Sequence, residues 1–332
     1  MKQSKASKNL ANKFRANLNF DEIKSKSGSL LLFNELTFSE LFCGRFGIQE
    51  EREAFNEAFT IATGGVGNEI TNVNSVISSA LLPLLFFYRL FYTVKQPVSL
   101  RININGIEHN FVRAFFEVRN KVVGRPSCVD VVLQDKDGNL LFLESKLTEF
   151  LDDYSDKPKT YGASYLSLYQ NASIKNALEN AGIGVDRQDK VLLLTPRNTM
   201  YLEGIKQSIS HLIGLVKGPQ IVDDEFYPSA YCREYIEAFE NAPNKYYATI
   251  LFDPTKQIGN SPEFESYCKL YCSIVGNEVF RNGIVPAIRE WAKLEKGGEN
   301  IIIIPQPLTY QEITSANPDY PLPESIKKYY GF

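Results

Sequence analysis

Mainly hydrophobic runs separated by short polar turns divide the middle of the chain into predicted strands. Residues 127–134 and 140–146 are two such runs, and the polar sequence Asp135-Lys136-Asp137-Gly138-Asn139 lies between them. A glycine at the end of this turn favours a three-residue loop, 136–138, that closes on the pair Asp135 and Asn139. The pattern therefore predicts a β-hairpin whose register is set by its turn.

Other elements follow from the same kinds of pattern. The apolar run at 80–88 is too short to span a bilayer and predicts a buried helix. Residues 201–216 carry hydrophobic side chains at helical spacing, which predicts an amphipathic helix. A small hairpin is predicted at 99–107, with its turn at Asn105-Gly106, and further strands are predicted at 111–119, 190–196, 246–253 and 300–305. Two more helices are predicted, an aromatic, cysteine-bearing one after about residue 255 and a second around 285–291.

Composition indicates an ordinary globular protein. The chain has 332 residues, 44% hydrophobic and 23% charged, with a net charge of −3, so a nucleic-acid-binding surface would have to be a local patch. An odd number of cysteines (five) and a polar first segment, 1–8, predict reduced thiols and no export signal. We therefore expect a cytoplasmic protein without a membrane partner.

The hairpin brings two carboxylates together. Counting back from the turn places Asp130 opposite Glu144, with Cβ atoms about 5 Å apart. Strand alternation returns Lys146 to the face of Glu144. Like charges at this distance repel unless a cation or a proton lies between them. Two hard oxygen ligands beside a lysine suit a Mg²⁺ site at which water is activated.

A surface ion pair is the alternative interpretation of Glu144 and Lys146. The Glu-x-Lys triplet is common, and the chain has a second one at Glu22-Ile23-Lys24 in a polar stretch. The opposed Asp130 and the apolar flanks favour a functional site.

These residues resemble a known signature. Pro126-Ser127-(x)2-Asp130 followed by Glu144-Ser145-Lys146 is similar to the PD-(D/E)xK motif of the restriction-endonuclease-like nuclease superfamily. The resemblance implies an α/β core with a mixed central sheet flanked by helices, and Mg²⁺-dependent phosphodiester hydrolysis with Mn²⁺ as a substitute metal. It implies that Asp130, Glu144 and the backbone carbonyl of Ser145 bind the metal. Lys146 would orient or deprotonate the attacking water and neutralise charge on the scissile phosphate.

The resemblance also implies outer members of the site. Glu69, at the start of the helix that leads to 80–88, is the candidate for a further catalytic metal ligand, and a carboxylate favoured by the helix dipole is the alternative. Gln207 on the 201–216 helix is expected to face the active site, while Lys206 or His211 could instead contact backbone phosphates. Solvated helix surface is the alternative for all three. Glu117 is either another acid of the cluster or an edge charge.

The resemblance divides the chain into three predicted parts. These are an N-terminal helical extension (1–60), a nuclease-like core (61–254) with an insertion at about 150–200, and a C-terminal α/β extension (255–332) packed on the core. The implied function is DNA endonuclease activity in restriction or defence against foreign DNA, in a monomer or homodimer. The alternatives are a catalytically silent nuclease fold that binds nucleic acid or a partner, and an unrelated interaction protein.

Overall fold

A mixed, curled β-sheet flanked by helices forms the centre of this α/β protein. The computed structural model describes residues 4–18, 22–24, 31–33, 57–61, 81–91, 98–124, 126–151, 159–188, 191–196, 202–221 and 229–332.

The central sheet has the strand order β11-β10-β6-β5-β4-β3, and β12 also pairs with β10. Strands β3 to β6 are antiparallel neighbours, whereas β10 runs parallel to β6. The strands are β1 (Glu22–Lys24), β2 (Leu31–Phe33), β3 (Leu100–Ile104), β4 (Ile107–Asn120), β5 (Ser127–Asp135), β6 (Leu140–Lys146), β7 (Lys159–Gly162), β8 (Ile183–Gln188), β9 (Val191–Pro196), β10 (Lys245–Leu251), β11 (Ile301–Ile303) and β12 (Leu308–Thr309).

Helices cover the sheet and connect its parallel strands. They are α1 (Lys5–Leu18), α2 (Leu81–Phe87), α3 (Leu166–Tyr169), α4 (Ala172–Asn180), α5 (Leu202–Lys217), α6 (Ser229–Asn241), α7 (Thr255–Ile258), α8 (Pro262–Ile274), α9 (Glu278–Ala292), α10 (Tyr310–Ala316) and α11 (Glu324–Tyr330). Residues 57–61 are also helical. In the described ranges, no helix combines the length and hydrophobicity needed to cross a membrane.

The central hairpin has the predicted register. Strands β5 and β6 pair from Gln134/Leu140 to Val131/Leu143. The Asp135 N–H donates to the Asn139 carbonyl at 3.0 Å, which closes the predicted loop. Gly138 has a φ of 85°, the left-handed conformation that the turn requires.

The hairpin predicted at Asn105-Gly106 is also present, but its second strand is longer than expected. Asn105 and Gly106 both have positive φ, 52° and 87°. Strand β4 then continues for 14 residues to Asn120, so the segment 111–119 is not a separate strand. A register shift between Phe111 and Arg113 marks a bulge in it.

The amphipathic helix predicted at 201–216 is α5, and its apolar residues Ile205, Ile209, Leu212, Ile213 and Val216 are buried. Helix α5 lies in the connection between β6 and β10 and packs on β4 and β5. Two parallel strands that are neighbours in a sheet need such a crossover connection, and a helix in it packs one face on the sheet. Within the apolar run predicted at 80–88, Leu81–Phe87 form α2, and all seven of these residues are buried.

The predicted insertion contains a second sheet. Strands β7, β9 and β8 pair in that order, and all their contacts are antiparallel. The strand predicted at 190–196 is therefore β9 in this smaller sheet.

The two ends of the sequence both contribute to the main body. Strands β11 and β12 pair with β10, so the C-terminal part extends the central sheet. In the predicted N-terminal helical extension, α1 and 57–61 are helical, while β1 and β2 form a short antiparallel pair. The ring centroid of Phe14 in α1 lies 5.2 Å from the ring centroids of both Tyr329 and Tyr330 in α11.

Candidate active site

Strands β5 and β6 stop pairing where their polar residues begin. Beyond Val131/Leu143, the Asp130 carboxylate accepts a hydrogen bond from the Ser145 N–H at 2.6 Å. The N–H and C=O of one residue in an extended strand point to the same side. The Ser145 carbonyl therefore faces Asp130, whereas the Lys146 carbonyl accepts from Phe252 on the β10 side. Asp130 and Ser145 thus present oxygen atoms to the same opening.

Glu144 is buried, with 3% of its surface exposed, and both of its carboxylate oxygens are engaged. Oε1 accepts from Lys146 Nζ at 2.5 Å, and Oε2 lies 2.7 Å from His211 Nε2. The contact between Oε2 and Nε2 is close but lacks the alignment of a good hydrogen bond. The predicted placement of Lys146 beside Glu144 is therefore present in the structure.

The charges of this pair stabilise one another. Burial acts to raise the pKa of Glu144, but Lys146 and His211 outweigh it and lower the pKa to about 2. Burial acts to lower the pKa of Lys146, but Glu144, Glu149 and Asp130 raise it well above its ordinary value. At neutral pH the site therefore contains a carboxylate and an ammonium.

The surroundings of Asp130 disfavour the charged form of its carboxyl group. Asp130 is partly exposed, yet desolvation raises its pKa well above the ordinary value, and Glu144 and Glu117 raise it further. Lys146 and the Ser145 N–H act in the opposite direction without cancelling these effects. A proton or a cation at Asp130 would offset these effects.

Glu117 belongs to the same cluster. It lies on β4 between the pairs Phe116/Val131 and Val118/Val129, which places it opposite Asp130. It is 6% exposed, so it is not an edge charge, and its φ of 48° is left-handed. A non-glycine residue with this backbone in a strand is strained, and such strain is concentrated at functional sites.

His211 connects the two sides of the cluster, a role that sequence reasoning missed. Its Nδ1 lies 2.7 Å from Ser127 Oγ, and its Nε2 contacts Glu144. His211 is 4% exposed, so contact with a backbone phosphate is not available in this conformation. Gly214, one turn later, permits the approach of α5, because an added Cβ would lie 2.8 Å from Asn120 Cβ.

Gln207 lies one helical turn before His211 on α5, so both residues lie on the same face of the helix. Its Oε1 is buried and has no hydrogen-bond partner among the residues that the structure describes. Lys206 is partly exposed and pairs with Glu203 at 3.5 Å. Glu69 lies outside the described residues.

A residue from the C-terminal part supports β6 from its other face. Tyr310 Oη and Ser145 Oγ are 2.9 Å apart, and both side chains are buried. Ser145 therefore has its N–H held by Asp130 and its hydroxyl held by Tyr310, which fixes the strand end carrying Glu144 and Lys146.

The donor set fits a hard divalent cation in part. Asp130 and the Ser145 carbonyl supply oxygen ligands, and the acidic surroundings of Asp130 favour a cation. A cation at Glu144 would compete with Lys146 and His211, which already contact its two oxygens. Across the described ranges, no group of three or more His, Cys, Asp or Glu side chains is arranged around a common metal position.

Comparison of the chain with protein-family models, with characterised proteins and with solved structures gives no match.

Proposed function

We propose that the chain is a Mg²⁺-dependent endonuclease that hydrolyses DNA phosphodiester bonds and has a restriction-endonuclease-like core. One observation carries the proposal: Asp130, the Ser145 backbone and the Glu144–Lys146 pair converge where the β5–β6 ladder opens. A buried cluster of carboxylates with one lysine, held at strand ends, has the chemistry of a metal-assisted hydrolase.

The strand connectivity supports the same proposal. Strands β4, β5 and β6 form an antiparallel meander, and the chain then returns through α5 and α6 to β10, parallel to β6. The strand predicted at 140–146, the helix predicted at 201–216 and the strand predicted at 246–253 follow one another in this order. This arrangement places the α5 residues Gln207 and His211 on the side of the sheet that carries the cluster.

Each residue has a role that follows from its charge state. Asp130, Glu144 and the Ser145 carbonyl would hold the metal, which when bound polarises the phosphate and lowers the pKa of water. The low pKa of Glu144 keeps it ionised and able to bind a cation. Because the raised pKa of Lys146 keeps it protonated, we assign it to charge neutralisation and to donating a hydrogen bond rather than to proton abstraction.

Restriction or defence against foreign DNA would suit this activity. Cutting both strands of a duplex requires two active sites or two visits by one, and a homodimer is the arrangement that would supply two sites.

A catalytically silent nucleic-acid-binding or partner-binding protein is the second candidate. The observation that favours it is the engagement of both Glu144 oxygens by Lys146 and His211. In a silent protein this ion-paired arrangement is permanent, whereas in the enzyme it opens when the metal binds.

Incubation with supercoiled and linear DNA, in Mg²⁺, Mn²⁺ or EDTA, distinguishes the two candidates. We expect metal-dependent cutting that Glu144→Ala and Lys146→Ala each abolish, with Lys269→Ala on the exposed part of α8 as a matched control. Cutting that survives both active-site substitutions would overturn the site assignment. DNA binding without cutting in any metal would favour the silent protein.

A further inference from the structure

A cavity of about 430 Å³ lies beside the C-terminal end of α5, outside the candidate active site. Four lysines line it, Lys121, Lys217, Lys245 and Lys296, against two glutamates. The chain as a whole has a net charge of −3, so this excess of positive charge is local. An anionic ligand is therefore the favoured occupant.

The carboxylates around the cavity do not hold its lysines in close ion pairs. None of the four forms an ion pair with a carboxylate in the described part of the chain. Lys217 Nζ donates to the neutral carbonyl of Val122 at 3.1 Å. Glu299 accepts hydrogen bonds from the Gly297 N–H and from Arg289 at 3.0 Å, and it acts on Lys245 through charge without a close contact.

The cavity also has an apolar wall that could receive a flat ring. Leu215, Ile236, Phe239 and Leu294 contribute to it. Lys245 Nζ lies 4.8 Å from the Phe239 ring centroid, and burial lowers the pKa of Lys245. A nucleotide has the two properties that this lining favours, an aromatic base whose face can pack on apolar side chains and a negatively charged phosphate.

The position of the cavity relates it to the candidate active site. Lys217 follows His211 by six residues on α5, which corresponds to about 9 Å along the helix axis. Lys121 follows directly after β4, the strand that carries Glu117.

We propose that this cavity binds a nucleotide of a single-stranded segment that flanks the scissile bond. The base packs on the apolar wall, and the adjacent phosphates contact the lysines. The proposal rests on the proposed nuclease function, because it assigns the cavity to the substrate of the same site.

The test measures binding of a fluorescein-labelled single-stranded oligonucleotide to the full chain by fluorescence anisotropy, in EDTA so that no cleavage is required. The cavity variant is a double substitution, Lys121→Glu and Lys296→Glu. Both side chains are exposed, so we expect the variant to fold normally. The control is Lys269→Glu with Lys328→Glu, two exposed lysines that do not line the cavity and that give the same change in net charge.

We expect the cavity variant to bind at least about tenfold more weakly than wild type. We also expect the slope of log affinity against log salt to become shallower by about 1.4, since two phosphate contacts are lost. The control should bind within about threefold of wild type, because screened charges far from the ligand contribute little. A thermal melt of each variant confirms that it is folded.

Three outcomes would overturn the proposal: no saturable binding by wild type, unchanged affinity in the cavity variant, or an equal loss in the control. Each is separate from the failure of the nuclease assignment. The nuclease assignment would fail if DNA cutting were absent or were unchanged by Glu144→Ala. Binding in EDTA does not depend on catalysis, so the two failures can be told apart.

Discussion

Two aspartates of the same strand show how surroundings decide the role of a residue. Asp135 Oδ1 accepts backbone N–H bonds from Asp137 and Asn139 at 2.9 and 2.8 Å. Its Oδ2 accepts from Asn139 Nδ2 at 2.9 Å and lies 2.8 Å from His109 Nδ1. These bonds complete the hairpin turn, so Asp135 is structural. Asp130, by contrast, lies beside two other acidic residues.

Asp130→Asn is expected to stabilise the protein at pH 7 in EDTA. Asparagine keeps an oxygen that can accept the Ser145 N–H, but it removes the charge that burial and Glu144 disfavour. A carboxyl whose pKa is raised on folding lowers stability as pH rises from its unfolded pKa through its folded pKa. The variant and wild type should therefore melt alike at acidic pH and diverge as pH rises, by about 1.4 kcal/mol for each pH unit that separates the folded pKa from the unfolded pKa.

Thermal melting across the pH range measures this effect. Asp135→Asn is the matched control, and we expect it to lose about 1–3 kcal/mol at pH 7, because an amide NH2 replaces the oxygen that contacts Asn139 Nδ2 and His109 Nδ1. Equal destabilisation by both substitutions would show that Asp130 is a structural residue.

Replacement of His211 tests whether it positions Glu144. His211→Ala removes the contact with Glu144 Oε2 and the partner of Ser127 Oγ. Residues that orient metal ligands typically contribute about 10–100-fold to activity or metal affinity. We expect a loss of that size in DNA cutting, together with a higher Mg²⁺ concentration for half-maximal rate.

The only other histidine of the sequence provides the control. His109 contacts Asp135 at the opposite end of β5, so His109→Ala should lower stability and leave the Mg²⁺ dependence unchanged. An unchanged Mg²⁺ dependence in His211→Ala would restrict that histidine to packing.

Among the elements, the edge strand β3 is capped by a side chain. Asn317 Oδ1 accepts the Arg101 N–H at 2.8 Å, and its Nδ2 donates to the Arg101 carbonyl at 2.7 Å. The amide thus provides the hydrogen bonds of a neighbouring strand and blocks part of an edge that could pair with another chain.

Asn317→Ala is expected to cost about 2–3 kcal/mol, because two backbone groups of β3 lose their partner. The measurement is denaturant unfolding combined with light scattering, which should show more association in the variant. Asn317→Asp, which keeps the acceptor and removes the donor, should have an intermediate effect. Wild-type stability in the alanine variant would mean that water replaces the amide at no cost.

The elements that could be predicted from the sequence are those specified by local chemistry. The β5–β6 register followed from the turn 135–139, and the buried face of α5 followed from its helical spacing. The Ser127–His211 contact joins residues 84 positions apart and depends on how α5 packs across the sheet. Glu117 could not be assigned for a similar reason, since its position beside Asp130 depends on the register between β4 and β5.

At the scale of the whole molecule, distant parts of the sequence hold the site in place. The C-terminal part contributes β11 and β12 to the sheet and Tyr310 to Ser145. Phe14 of α1 packs on α11. Its ring centroid also lies 5.4 Å from that of Phe252, the residue after β10. The predicted extensions are therefore parts of the central body, and the stability of the whole molecule reports on events at the site.

Mg²⁺ is accordingly expected to raise the melting temperature of the wild-type protein. A ligand that binds only the folded state stabilises it by about 2.7 kcal/mol at a concentration 100-fold above its Kd. Because a proton and the cation compete for Asp130, the effect should grow as pH rises through the raised pKa of that carboxyl. It should be absent from Asp130→Asn and reduced in Glu144→Gln. NaCl at equal ionic strength is the control, and an equal shift with NaCl, or in all variants, would show that Mg²⁺ acts only as bulk salt.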